Sequence, residues 1–203
     1  MTGRVSRRLA VVVAVLFTVG LGGPAVAQKK LENIPLVWKP TTKAGQGSSV
    51  TNLSGLADVK IQVDPFVDTR ENKAKFGENQ EDKTPRSVTT SANVADFATQ
   101  NFRNALKQYG LTIVPSGGDV VIGGDILEFM VVETNTYKGD VRIKLNVKKR
   151  GKTEWAGIAA GSSSRWGRSF KDDNYYETIS DSLLDAVAHA MDDEGFRKAL
   201  GGK

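Results

Sequence analysis

Between Val141 and Lys148 the apolar residues Val141, Ile143, Leu145 and Val147 alternate with Arg142, Lys144, Asn146 and Lys148. That period of two predicts a strand buried on one face and wet on the other. Upstream, the run from Asp119 to Val132 carries apolar residues at both sets of alternating positions, so it is expected to be a central strand covered on both sides. Its Gly123-Gly124 pair predicts a bulge or a close backbone approach. Downstream, Arg150-Gly151-Lys152 turns the chain into a third extended run, Glu154 to Trp166. The three runs together predict an antiparallel meander.

The rest of the chain is patterned to cover it. From Asn93 to Tyr109, Val94, Ala98, Phe102, Ala105 and Tyr109 fall on one helical stripe, with Asn93 as cap and Gly110 as stop. A second helix is expected from Asn174 to Asp193, opened by an Asn174/Glu177 capping box, with one of Tyr175 and Tyr176 facing out. Asp58 to Asp64 alternates as a core strand, and Leu111 to Val114 forms a short one. Asn72 to Thr90 is charged, with Phe76 its one large apolar residue before Val88, and reads as a long surface loop. In Ile34-Pro35-Leu36-Val37-Trp38-Lys39-Pro40 two prolines bracket a short apolar run, which suits an edge strand or an extended arm. Residues 28–57 are therefore expected to form an arm and linker, and 58–203 a single α+β domain. Its architecture is a two-layer sandwich, a mixed or antiparallel sheet with two main helices on one face.

The first residues change the compartment. Arg4, Arg7 and Arg8 precede an uncharged apolar run from Leu9 to Leu21 and an Ala25-Val26-Ala27 site. This pattern predicts a signal peptide over residues 1–27, cleaved after Ala27, and a periplasmic or secreted product with no stable membrane span. The formal charge of +5 includes those three arginines; 28 basic residues less three leaves 25 against 23 acidic, a net +2. Such a balance gives no support to nucleic-acid binding. Cysteine is absent, which excludes disulfides, thiolate metal sites and a lipidated cysteine.

Candidate chemistry is sparse. The one histidine, His189, lies off the centre of its helix's apolar stripe and leaves a triad or histidine metal site nothing to draw on. An enzyme here would run on carboxylates, with Asp64, Asp68, Glu71, Glu78 and Asp82 gathered beyond the first core strand. Arg165-Trp166-Gly167-Arg168 sets an aromatic between arginines, a group able to hold an anionic headgroup, a sugar or a partner's carboxylates. Arg142, Lys144 and Lys148 line the wet face of the alternating strand and could steer the protein to an anionic surface. Asp68 and Arg70 are further binding candidates; no metal or cofactor is expected.

The strand and loop Val63-Asp64-Pro65-Phe66-Val67-Asp68-Thr69-Arg70, the helix end Leu106-Lys107-Gln108-Tyr109-Gly110, the Gly124-Asp125-Ile126-Leu127 strand and the Trp155 strand resemble the YajG-type bacterial envelope lipoproteins. The order of elements is similar to that of ABC-transport auxiliary lipoproteins. The resemblance covers about Asp58 to Leu200, lies in pattern and topology, and implies a non-enzymatic envelope domain with no catalytic residues to carry over. Those proteins bear a lipidated cysteine after the signal, where this chain has Gln28. The expectation is an exported, non-catalytic envelope protein that binds an envelope complex or an amphiphilic ligand. The alternative is a carboxylate-dependent hydrolase acting on cell-wall material.

Overall fold

The computed structural model describes residues 31–45, 53, 55–56 and 58–201. The predicted signal and its cleavage site lie outside the described residues. The order of elements is β1 (Lys60–Val63), β2 (Val67–Asp68), β3 (Lys75–Asn79), β4 (Arg86–Thr89), α1 (Val94–Gln108), β5 (Thr112–Val114), β6 (Val120–Glu133), β7 (Tyr137–Lys149), β8 (Lys152–Arg165), α2 (Asp172–Asp192) and α3 (Glu194–Leu200). It is an α+β two-layer sandwich built on one mixed, eight-stranded sheet.

Strand β6 organises the sheet. Along one edge it pairs antiparallel with β7 from Val120↔Lys149 to Glu133↔Tyr137. Along the other edge it receives three short parallel strands end to end: β1 at Val120–Ile122, β2 at Asp125–Ile126 and β3 at Val131–Glu133. β5 extends β1 in parallel and β4 extends β3 antiparallel, while β8 follows β7 as the far strand of the meander.

Two patterns in this sheet differ from expectation. β6 is central, but its faces are unequal: Val120, Ile122, Ile126, Phe129 and Val131 are fully buried, while Leu127 is exposed and Val121, Met130 and Val132 are half-buried. The register shift lies between Ile126 and Glu128, at Leu127, and not at the glycine pair. Gly124 instead admits the Phe66 ring, which a Cβ there would strike. The segment from Asn72 to Thr90, expected as loop, holds the β3–β4 hairpin. Phe76 and Val88 are both fully buried, and two large apolar residues in a charged stretch give too few positions for alternation to be seen.

The helices close the buried face. α1 starts at Asn93, whose side chain accepts from the N–H groups of Ala95 and Asp96, and it buries Val94, Ala98, Phe102, Ala105 and Leu106. α2 begins two residues earlier than the sequence suggests, at Asp172 after Lys171, without a side-chain cap. Asn174 does not cap it; its Nδ2 donates 3.0 Å to the Arg168 carbonyl. Tyr175 and Tyr176 are both buried, so neither faces out. Ahead of the sheet, Ile34, Leu36 and Trp38 pack against the core, with Trp38 edge-on to Phe97 at 6.1 Å.

The approach of α2 to the far strand is set by small residues. A Cβ on Gly161 would fall inside contact with the Ala186 amide and the Ser182 carbonyl, and one on Gly139 would meet Ser182 and Thr178. Helix backbone therefore rests on strand backbone at this crossing. Replacing Gly161 with Ala must push α2 off β8, and the expected loss is about 1–3 kcal/mol, the usual range for overpacking. Urea unfolding of Gly161→Ala beside the unaltered protein measures it.

Candidate functional site

The buried end of β6 carries the group on which the candidate site stands. Glu133 is fully buried. Its Oε1 accepts from the Tyr137 hydroxyl at 2.8 Å and from the Phe170 N–H at 2.6 Å, and its Oε2 accepts from the Tyr175 hydroxyl at 2.7 Å. Asn79 donates as well. Burial pushes this carboxyl up, but the four donors outweigh it and hold Glu133 below the usual carboxylate range. Burial, reinforced by the nearby carboxylate, pushes the Tyr137 hydroxyl up to about 12 and raises Tyr175 as well. Both phenols thus stay protonated and donating at neutral pH.

The network fixes the segment between β8 and α2. The Tyr137 hydroxyl is 2.7 Å from the Arg168 carbonyl and 3.3 Å from the Lys171 N–H, and Asn174 holds the same carbonyl. Phe170, at φ 53°, places its ring under the Arg86 guanidinium, 4.3 Å from the centroid. Arg86 in turn donates to Asn79 Oδ1 at 3.0 Å, and the Ser169 hydroxyl bonds Glu81. A left-handed, non-glycine residue persists only where its surroundings hold it. Here Glu133 takes the Phe170 N–H and Arg86 covers its ring, while Tyr137, Asn174 and Glu81 hold its neighbours.

The side chain this platform presents is Trp166, 78% exposed. Arg168 is exposed beside it. Arg165 is not free: it pairs with Glu177, which also holds Lys39 at 2.9 Å. The three arginine-loop residues therefore split, with Arg165 tying β8 to α2 and Trp166 and Arg168 turned to solvent.

Arg142, Lys144 and Lys148 lie in one exposed row on the outer face of β7, together with Lys138. The row is interleaved with acids. Arg142 lies 4.0 Å from Glu128, Asp125 is opposite Lys144 in the register, and Asp140 sits within the row. On the next strand Ala156, Ile158 and Ala160 are exposed on the same face, with Ile158 directly across from Lys144.

Asp68 and Arg70 form an internal clamp. Arg70 Nε and Nη2 donate to the two Asp68 oxygens at 2.9 and 2.7 Å. Nη1 donates to the Lys75 and Phe129 carbonyls at 2.8 and 3.1 Å, and Nη2 also reaches the Lys73 carbonyl at 2.8 Å. All five guanidinium N–H groups are thereby used inside the fold. The Asp68 carboxyl is raised by burial but lowered more by Arg70, and ends below the usual range.

The other sequence-level carboxylates go to separate neighbours. Asp64 accepts from Gln62 at 2.7 Å, Glu78 is held by Lys75 and Gln80, Asp82 lies 3.2 Å from Arg86, and Glu71 is exposed. His189 Nδ1 lies 2.7 Å from the Ala160 carbonyl. No cluster of His, Asp or Glu suited to a metal ion occurs among the described residues, nor any helix long and apolar enough to cross a membrane. Sequence reasoning missed Glu133, whose partners Tyr137 and Tyr175 stand 4 and 42 residues away. The nearby signal was Tyr137, an aromatic closing the polar stretch Thr134-Asn135-Thr136 that joins β6 to β7.

No family model matches the chain, and no curated protein matches it. Several solved structures share part of its chain path. Protein XCC0632 from Xanthomonas campestris overlaps at 8% identity and a TM-score of 0.47, covering 70% of this chain and 84% of that one. The PelC dodecamer from Paraburkholderia phytofirmans gives 12% and 0.43, covering 67% and 88%. Lipoprotein GNA1162 from Neisseria meningitidis gives 13% and 0.35, covering 55% and 88%.

Glu133→Gln tests the platform. The variant keeps the shape but removes the charge that four donors converge on, and is expected to lose about 1–3 kcal/mol at pH 7. The native carboxyl titrates below its ordinary 4.5, so its contribution is full above that value and fades as pH falls through the lowered one. The gap between native and variant unfolding free energies, measured from pH 7 downward, should therefore narrow below about pH 4.5.

Proposed function

We propose that this chain is an exported, non-catalytic envelope protein that works by binding, as an accessory subunit of an envelope assembly or a module for an amphiphilic ligand. Trp166 and Arg168 form its anchor, and the cationic outer row of Arg142, Lys144 and Lys148 its flanking surface. The signal-like N-terminus supports the compartment. The observation that carries the reading is Trp166, 78% exposed on a segment held from within by a fully buried carboxylate. Leaving an indole in water forgoes on the order of 4 kcal/mol of burial. A fold that spends a buried charge network on holding such a residue outward favours a partner that covers it, and Trp and Arg are the residue types that dominate such contacts.

A hydrolase built on the carboxylates beyond β1 finds less support. Asp68 and Glu78 are committed to Arg70 and Lys75, and low-lying carboxyls of this kind lack the raised value a general acid needs at neutral pH.

The test is a photo-reactive amino acid at position 166 in cells that export the protein. Adducts at 166, absent when the same group stands at Gly151 on the β7–β8 turn, are expected, and the purified mature chain should begin at Gln28. Trp166→Ala should leave the unfolding free energy within about 0.5 kcal/mol, as for exposed side chains generally, while abolishing the partner. A cytoplasmic, uncleaved product, or equal labelling from both positions, would contradict the reading.

A further inference from the structure

Among the described residues strand β8 pairs with β7 alone, so its other edge carries backbone that no strand takes up. Register shows which groups point there. The Ser162 N–H donates 2.8 Å to Asp185 Oδ2 on α2, away from β7. Ser162 faces Asp140 in the ladder, and this pair is therefore one that exchanges no bonds across β7–β8. By the two-residue repeat, Ala160 and Ser164 have the same orientation. α2 covers part of this edge: His189 Nδ1 meets the Ala160 carbonyl at 2.7 Å, and Asp185 takes the Ser162 N–H. Beyond that point the helix supplies nothing, and the Ser162 carbonyl and both backbone groups of Ser164 remain without a partner among the described residues.

These groups open into a cleft of about 360 Å³ between β8, α2 and the N-terminal arm. Thr41 and Thr42 form the arm side together with Lys43, and Asp181 and Asp185 the helix side. The arm is pinned there by Asp181, which accepts from the Thr41 N–H at 2.7 Å and the Thr41 hydroxyl at 2.5 Å. Asp185 takes the Ser162 N–H on Oδ2, which also lies 3.6 Å from His189 Nδ1, and its Oδ1 has no partner among the described residues. The cleft thus combines a strip of sheet edge, hydroxyl walls and an excess of negative charge.

We propose that this cleft is a docking groove for an extended, lysine- or arginine-bearing segment of a partner protein, which adds to the sheet beside Ser162–Ser164. Ser164 can exchange both backbone hydrogen bonds with one residue of such a segment, and the Ser162 carbonyl can accept one more. A small polar ligand would satisfy the hydroxyls but not this ladder. The basic residue follows from Asp181 and Asp185, which flank the open edge on the helix side. The groove is separate from Trp166 and stands whether or not that residue binds anything.

The experiment is selection of displayed linear peptides on the purified mature protein, followed by fluorescence anisotropy with a labelled copy of an enriched sequence. Enriched peptides should carry Lys or Arg among residues that favour extended backbone. Ser164→Pro removes one edge N–H that no strand of this fold uses, and should weaken binding about tenfold, the worth of one good hydrogen bond, with the unfolding midpoint kept. Asp185→Asn keeps an acceptor for Ser162 and should weaken binding several-fold at low salt and less at high salt. Failure to enrich any basic extended sequence, or an enriched peptide that binds both variants as well as the unaltered protein, would overturn the proposal.

Discussion

A carboxylate with no water around it has to be solvated by the protein, and at Glu133 that requirement reaches into five parts of the chain. Its donors come from β3, β7, the turn before α2, and α2 itself, while its own backbone carbonyl, on β6, takes the Gln80 N–H at 2.7 Å. Removing any one donor leaves a buried charge short of a partner, which costs more than an ordinary hydrogen bond. The end of the central strand, the start of α2 and the hairpin beyond β2 are thereby tied to a single point. The residues that follow Trp166, from Arg168 to Lys171, are bonded into the same network.

The opposite flank of the sheet is governed by a different constraint. An edge strand 14 residues long invites pairing with other chains, and β8 is defended unevenly. A register shift at its start, between Val147 and Lys148 on the partner strand, breaks the ladder near Glu154. Asp185 and His189 plug the edge in the middle, from a helix held close because Gly161 has no side chain. Near Ser164 the defence stops. His189, which sequence reasoning weighed for catalysis, has this more local role.

Much of this architecture was legible in the chain. The alternation from Val141 to Val147 located β7, Gly110 ended α1, and Asn93 caps it as read. The β3–β4 hairpin was not legible, because its buried positions, Phe76 and Val88 with Gly77 under the Tyr175 ring, are too few to show a period. The candidate site was half legible. Trp166 stood out as an aromatic between arginines, but the loss of Arg165 to Glu177 and of Asp68 to Arg70 depends on pairings that only the folded chain brings about. In sequence, Glu133 follows the apolar run ending at Val132 and opens the polar stretch Glu133-Thr134-Asn135-Thr136. Nothing local to it shows that two tyrosines and a backbone amide will close over it.

The buried carboxylate holds the Trp166 segment as part of the core. Amide hydrogen exchange at Phe170 in the native protein tests this most directly, since that N–H is the donor to Glu133 at 2.6 Å. Exchange as slow as in the core strands, at Val131 or Ile143, is expected, because the bond breaks only when β6, β7 and α2 part. Exchange at the rate of the exposed β7–β8 turn would show the segment opening independently and would contradict it.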